Sequence, residues 1–284
     1  MVSTQKTIGQ EIECFGIGMF RGENTTLRFR PAPLNSGISF IRVDLPNRPS
    51  IPAHVNSLSS NYRRIFLKHQ DAEVECIEHL MAALAGLGID NVEIEITGRE
   101  VPAGDGSAQF FVDILKKAGI VDLGGAKKIF VVTKSLAVKS ENASILAVPC
   151  EKGLVLSYTL DFKGPFLPQQ TYDITFTEES FCREIAPART FGLSTYIEEF
   201  RQLGLGKGVT DENSVIVHED GTMTKPISMK PAELRFPNEL VRHKILDLIG
   251  DLSLANVVIQ GHIIAKKSGH SLNVQLAKKI ANSA

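Results

Sequence analysis

The sequence predicts an α+β fold built as two domains. Two observations carry this expectation. Stretches with strand-like alternation come in pairs, not one for one with helices, which argues against a doubly wound sheet. In addition, a Gly/Lys-rich patch, Leu123-Gly124-Gly125-Ala126-Lys127-Lys128, separates two stretches that each mix strands with helices. The chain of 284 residues exceeds the usual single domain of about 100–150. Residues 1–124 and 127–284 are therefore assigned as N-terminal and C-terminal α+β domains, with the patch as linker.

The N-terminal part opens on strands between Gln5 and about Leu45: Thr25 to Arg30 alternates, Ile38 to Val43 is β-rich, and turns at Gly16–Gly22 and Pro31–Gly37 divide them. From Glu73 to Leu87 the period becomes helical, with Cys76, Ile77, Leu80, Met81 and Leu84 in register and Gly86 and Gly88 as the stop. Asn91 to Ile96 reads as a strand. Ser107 follows a Gly-Asp-Gly turn and is placed to cap a helix over Ala108 to Ala118. In the C-terminal part, strands are expected over Ile129–Thr133, Leu136–Lys139, Ser144–Val148 and Leu154–Phe162, a helix over Ser194 to Leu203, and a short strand over Val215–Val217. Asn238 to Leu254 is a strong helix, because Leu240, Val241, Ile245, Leu248, Ile249 and Leu252 keep a period near 3.6. Gln260 to Ala265 reads as a strand and Leu272 to Ala281 as a closing helix. The two parts show no sequence repeat.

Composition narrows the class. Hydrophobic residues are 43 % and charged residues 22 %, which excludes a disordered, collagen-like or coiled-coil chain. Lys+Arg is 31 and Asp+Glu is 32, a balance unsuited to general nucleic-acid binding. The four cysteines form no C-x-x-C pair and read as reduced thiols. Met1 to Glu11 is polar, and no uncharged apolar run reaches the ~18 residues of a membrane helix. A cytoplasmic protein without an integral membrane segment is expected.

Seven histidines make spacing the guide to chemistry. His243 and Asp247 are four apart on the strong helix and so share a face, with Asp251 one turn further. That face borders the apolar stripe, where buried polar groups need partners such as a metal ion; a salt bridge from Asp247 to Arg242 or Lys244 is the plainer alternative. Glu78 and His79 stand side by side early in a helix. A ligand beside a base is one use, and an acid at the positive helix end is the other. His270 lies in a Gly-His turn between strand and helix, a good place to present an imidazole into a cleft. Together these groups offer two imidazoles and a carboxylate as ligands, with a carboxylate and a histidine left for proton transfer. That is the inventory of a catalytic zinc site for amide or ester hydrolysis. No P-loop, G-x-S-x-G or H-E-x-x-H is present, and Gly16-Ile17-Gly18 lacks the third glycine of a dinucleotide fingerprint.

Longer segments carry a resemblance. Gln5-Lys6-Thr7, Arg30-Pro31-Ala32-Pro33, Glu78-His79-Leu80 continuing through Ala82 to Asn91, and Asp105-Gly106-Ser107 fall in the first half. Ala188-Arg189-Thr190-Phe191-Gly192, Arg242-His243-Lys244 with Asp247 and Gly250-Asp251, Lys267-Ser268-Gly269-His270 and Leu272-Asn273 fall in the second. In this order and over nearly the whole chain they resemble the UDP-3-O-acyl-N-acetylglucosamine deacetylases of lipid A biosynthesis.

The resemblance implies two α+β domains of similar topology, their sheets sandwiching the helices, with the active site between them. It implies zinc held by His79, His243 and Asp247, with water at the fourth position; such a ligand set also accepts Fe(II). Glu78 would be the general base and His270 the cationic general acid, held by Asp251, while Thr190 would donate to the oxyanion. Lys244 and Lys267 would face the diphosphate or sugar, Phe162 would stack on uracil, and Phe191 and Met19 would line the acyl passage. The substrate would be a nucleotide-linked glycolipid, with no nucleic-acid partner, and the enzyme a monomer. The chain also departs from the family pattern. Phe20 replaces a histidine, Asn61–Phe66 lacks the Thr-rich stretch, Pro102-Ala103-Gly104-Asp105 replaces Pro-Ile-Met-Asp, and Lys207-Gly208-Val209 replaces Gly-Gly-Ser. These changes keep open hydrolysis of another acylated nucleotide-sugar, or a non-catalytic sugar-nucleotide binder on the same fold.

Overall fold

The computed structural model describes residues 4–59, 63–162 and 167–284, so Asn61 and Tyr62 lie outside the described residues. It has the α+β character expected, with several sheets packed against helices. The first large sheet orders its five strands Ile12–Ile17, Asn24–Pro31, Val92–Ile96, Ile38–Arg42, Ser50–Pro52. Only Val92–Ile96 and Ile38–Arg42 run parallel; the other pairs are antiparallel. The second large sheet repeats that pattern as Leu136–Lys139, Ser144–Val148, Val258–Lys266, Leu154–Leu160, Gln170–Thr175. Again its central strand is parallel to one neighbour, Leu154–Leu160, and antiparallel to the other. A short strand, Ile129–Val131, adds parallel to the start of Val258–Lys266.

Helices bracket each central strand. Helix α1 (Glu78–Leu87) precedes Val92–Ile96 and α2 (Gln109–Lys117) follows it. Likewise α3 (Glu239–Ser253) precedes Val258–Lys266 and α4 (His270–Ser283) follows it. The same strand order thus occurs twice without a sequence repeat. Helix α1 packs along α3, and α4 packs on α3 and on the strands Leu136–Lys139 and Ser144–Val148. One apolar core runs from the first sheet through the helices to the second. Among the described residues, no helix is long and apolar enough to cross a membrane.

Local differences from the expected elements have physical causes. The helix expected from Glu73 begins at Glu78. Ala72–Glu75 is a strand paired with Phe66–His69, and its buried Ala72 and Val74 follow the two-residue period. Cys76 then turns the chain with φ of 60°. Gly88 ends α1 in the left-handed region, whereas Gly86 is helical and lies against Phe181, where a Cβ would come within 2.1 Å of the ring. Leu123–Ala126 is no loop: it belongs to the strand Ile120–Ala126, paired antiparallel with Thr4–Ile8. The Ser107 hydroxyl does accept from the Gln109 N–H at 3.1 Å, although the helix cap itself is Ala108.

Candidate functional site

Three helices converge on the site, and a glycine lets two of them meet. A Cβ at Gly250 of α3 would lie 2.1 Å from the Glu78 carbonyl oxygen at the start of α1. This close approach carries Glu78 and His79 up to Asp247 and Asp251, which flank Gly250 one turn before it and one residue after it. Their helix is enclosed on nearly all sides, so burial is severe: the Asp247 side chain is 6 % exposed and that of Asp251 0 %.

His79, His243 and Asp247 come together, with one candidate ligand atom from each lying within 4.8 Å of the others. Asp247 Oδ1 is 3.7 Å from His79 Nε2 and 3.4 Å from His243 Nε2. The second Asp247 oxygen accepts from the Lys244 ammonium. His243 Nδ1 is 3.1 Å from the Ala188 carbonyl, which can only accept, so Nδ1 carries the proton and Nε2 is free to coordinate. Burial pushes the His243 imidazole down to about 4, against the pull of Asp247, so it is neutral near pH 7 as a ligand must be. Burial opposes ionisation of Asp247, but Lys244 and the histidines hold its carboxyl well below the usual range. Burial likewise opposes the charge on Lys244, and Asp247 outweighs it, raising the ammonium above its ordinary value. Two imidazoles and one ionised carboxylate, their ligand atoms gathered together, fit a divalent metal ion.

Two further groups flank this cluster. Burial raises the Glu78 carboxyl above its ordinary value, and its Oε2 accepts from the Ile65 N–H at 3.2 Å. His270, the first residue of α4, has Nε2 3.9 Å from Glu78 Oε1. Its Nδ1 donates to Asp251, 2.8 Å from Oδ2 and 3.0 Å from Oδ1. Asn273 Nδ2 donates to the same carboxylate at 2.8 Å and is itself held by Ser268. Burial works against an imidazolium at His270, yet Asp251 outweighs it and holds the ring up at about 9. One carboxyl is thus raised and one imidazole kept charged, side by side, which is how sites separate acid from base.

The walls come from strand ends, strand-connecting turns and the segment that precedes α3. A cavity of about 1140 Å³ is lined by Glu78, His79, His243, Asp247 and His270, and also by Met19, Phe162, Thr190, Phe191, Lys244 and Lys267. Asp251 lies behind His270 and reaches the cavity only through it. The Phe191 ring is 6.1 Å from that of His243 and 6.0 Å from that of Phe162. Lys267 Nζ lies 3.5 Å from Asp161 Oδ2. Thr190 is anchored through its backbone: its N–H donates to Gly106 O at 2.8 Å and its carbonyl accepts from Val215 at 3.1 Å.

One supporting pair was not singled out by spacing. Glu239, fully buried in the first turn of α3, accepts from Arg189 Nε and from the Arg189 backbone N–H, both at 2.9 Å. Arg189 stands between Ala188, whose carbonyl orients His243, and Thr190. The signal lay in the Ala188–Gly192 segment, but its partner is remote in sequence. Glu239→Ala strands a buried guanidinium, so a loss of about 3–5 kcal/mol is expected in denaturant unfolding; a loss below about 1 kcal/mol would show that the pair does not hold this segment.

Comparisons with known proteins identify the family. The family profile described as LpxC, UDP-3-O-acyl N-acetylglycosamine deacetylase, matches residues 5–282. The UDP-3-O-acyl-N-acetylglucosamine deacetylase of Myxococcus xanthus is 39 % identical over 276 residues, covering 97 % of this chain and 86 % of that protein. The protein of the same name from Nostoc sp. (strain PCC 7120) is 41 % identical over 281 residues, 97 % of this chain and 98 % of its own. That from Geobacter sp. (strain M21) is 40 % identical over 276 residues, 97 % and 88 % respectively. With its profile match spanning nearly the full length, this chain belongs to the UDP-3-O-acyl N-acetylglycosamine deacetylase family.

Proposed function

We propose that this chain hydrolyses the N-acetyl group of a UDP-3-O-acyl-N-acetylglucosamine, releasing acetate and the free amine, in lipid A biosynthesis. Zinc is the proposed metal, with His79, His243 and Asp247 as its ligands. The observation that carries the reading is the meeting of that ligand set with Glu78 and His270 in one large cavity, in a chain of this family. Bound there, zinc supplies a Lewis acid that polarises the acetyl carbonyl and eases ionisation of the attacking water.

The chain's own residues do the rest. Glu78 takes the proton of the attacking water, and its raised carboxyl brings its basicity closer to neutrality. His270, charged through Asp251, stabilises the oxyanion and passes a proton to the leaving amine. Thr190 donates to the same oxyanion. Lys244 holds Asp247 and, with Lys267, faces the sugar or diphosphate. Phe162 offers a ring to uracil, and Phe191 and Met19 offer apolar surface to the acyl chain. We also take residues 1–124 and 127–284 as two domains, a division supported by the repeated strand order of the two large sheets.

The His270–Asp251 pair makes a signed prediction. His270 works as the charged acid, so activity should fall as pH rises through its value of about 9. Asp251→Asn removes the charge that offsets burial, so the alkaline limb of kcat/KM should move to lower pH by about one unit or more. An unmoved limb would assign it to another group. The function itself is tested by acetate release from a panel of acylated nucleotide-sugars. Turnover of the 3-O-acyl-GlcNAc compound supports the reading; turnover only of a different acylated nucleotide-sugar, or binding without turnover, would replace it.

A further inference from the structure

Two buried acids outside the metal cluster, Glu100 and Glu75, form a clamp behind one wall of the cavity. Glu100 is fully buried, and its two oxygens accept separate backbone N–H groups, Phe20 at 2.7 Å and Arg21 at 2.8 Å. Cys76 Sγ approaches Glu100 Oε1 at 3.4 Å. The carboxylate also fills the space beside Gly18, where a Cβ would come within 2.3 Å of it, so the loop can approach Glu100 only as glycine. Next to it, Glu75 is fully buried and is bound by Arg64 at 2.8 Å and by Arg21. The Arg64 guanidinium in turn lies 4.3 Å over the Phe20 ring.

The same loop is held from the second half of the chain. The Met19 and Phe20 carbonyls accept from Gly208 N at 3.0 Å and Lys207 N at 3.2 Å. The Phe20 ring meets that of Phe200 edge to face, with centroids 5.8 Å apart. Phe200 belongs to the short helix Ile197–Gln202, and both rings line the cavity that holds the catalytic groups. A single aromatic side chain is therefore fixed by a buried carboxylate through its backbone, by a guanidinium on its face and by a second ring at its edge. None of these contacts serves proton transfer or metal binding. What they produce is a rigid apolar wall whose position depends on Glu100.

We infer that Glu100 is a positioning residue for substrate selection: it holds the backbone of Phe20 so that the Phe20 ring packs against the 3-O-acyl chain. The inference rests on the deacetylase reading above. Burying one methylene against a fixed apolar wall is worth about fourfold in binding. Glu100→Gln keeps the volume but turns a donor toward a backbone N–H, so one clamp bond is lost and the ring is released.

The test compares kcat/KM for UDP-GlcNAc carrying a long 3-hydroxyacyl chain with that for the same compound carrying a short one. Both are measured on one preparation, so any unfolded fraction cancels in the ratio. The long-to-short ratio should fall about tenfold in Phe20→Ala and about threefold or more in Glu100→Gln, with the change in KM rather than kcat. Because Glu100 acts through Phe20, the double variant should fall no further than Phe20→Ala alone. A purely structural role would lower both substrates alike and leave the ratio unmoved. An unchanged or raised ratio, or multiplied losses in the double variant, overturns the inference while leaving the deacetylase reading intact. Wild-type protein inactive on both substrates overturns the two together.

Discussion

Glu78→Gln is expected to lower kcat by about 10²–10⁴-fold while metal content stays at the wild-type level. The reason is geometric. Glu78 borders the ligand cluster but is not part of it: its oxygens face the Ile65 N–H and His270 Nε2. Glutamine has the same length and keeps the contact with Ile65, so neither fold nor ligand set is disturbed. It cannot take a proton, which is the one task the carboxylate performs. His243→Ala removes a ligand instead, and there metal and activity should be lost together. The two variants separate base from ligand. Equal metal loss in both would mean that Glu78 helps to hold the ion.

Gly250→Ala should reduce activity by about 10²-fold, although residue 250 touches neither substrate nor metal. Its Cβ would sit 2.1 Å from the Glu78 carbonyl oxygen and 2.9 Å from its carbon, and backbone atoms cannot swing aside. Helices α1 and α3 must separate, and Glu78 and His79 then move away from His243 and Asp247. Misplacement by about 1 Å is enough for a loss of that size. Gly86→Ala provides the comparison. Its Cβ would first meet the Phe181 ring, further along α1, so it should cost stability, about 1–3 kcal/mol, with kcat largely kept. If Gly250→Ala also kept kcat, the close approach would be a packing feature alone.

These expectations show what could be read from the chain and what could not. His243 and Asp247 are four apart on a strongly periodic helix, and Glu78 adjoins His79, so each pair declares itself locally. Their meeting is a long-range event that no spacing announces, and the resemblance supplied it. The same holds for the supports. Ala188 with His243, Arg189 with Glu239, and Glu78 with Gly250 are all remote in sequence. The local misreadings have related causes. Glu73–Glu75 falls inside the expected helix because Val74 also keeps a helical spacing to Ile77 and Met81; pairing of Ala72–Glu75 with Phe66–His69 makes the segment a strand. Leu123–Ala126 looked like a linker because of its glycines, yet Thr4–Ile8 supplies a partner strand.

Metal-dependent deacetylation is expected at the His79, His243 and Asp247 cluster. It is tested most directly by acetate release from UDP-3-O-(3-hydroxyacyl)-GlcNAc by metal-stripped protein titrated with zinc. No release is expected at the start, followed by a rise to a maximum near one equivalent, as for a single site with three protein ligands. Full release from the stripped protein, or none at any zinc level from a folded chain, would contradict it.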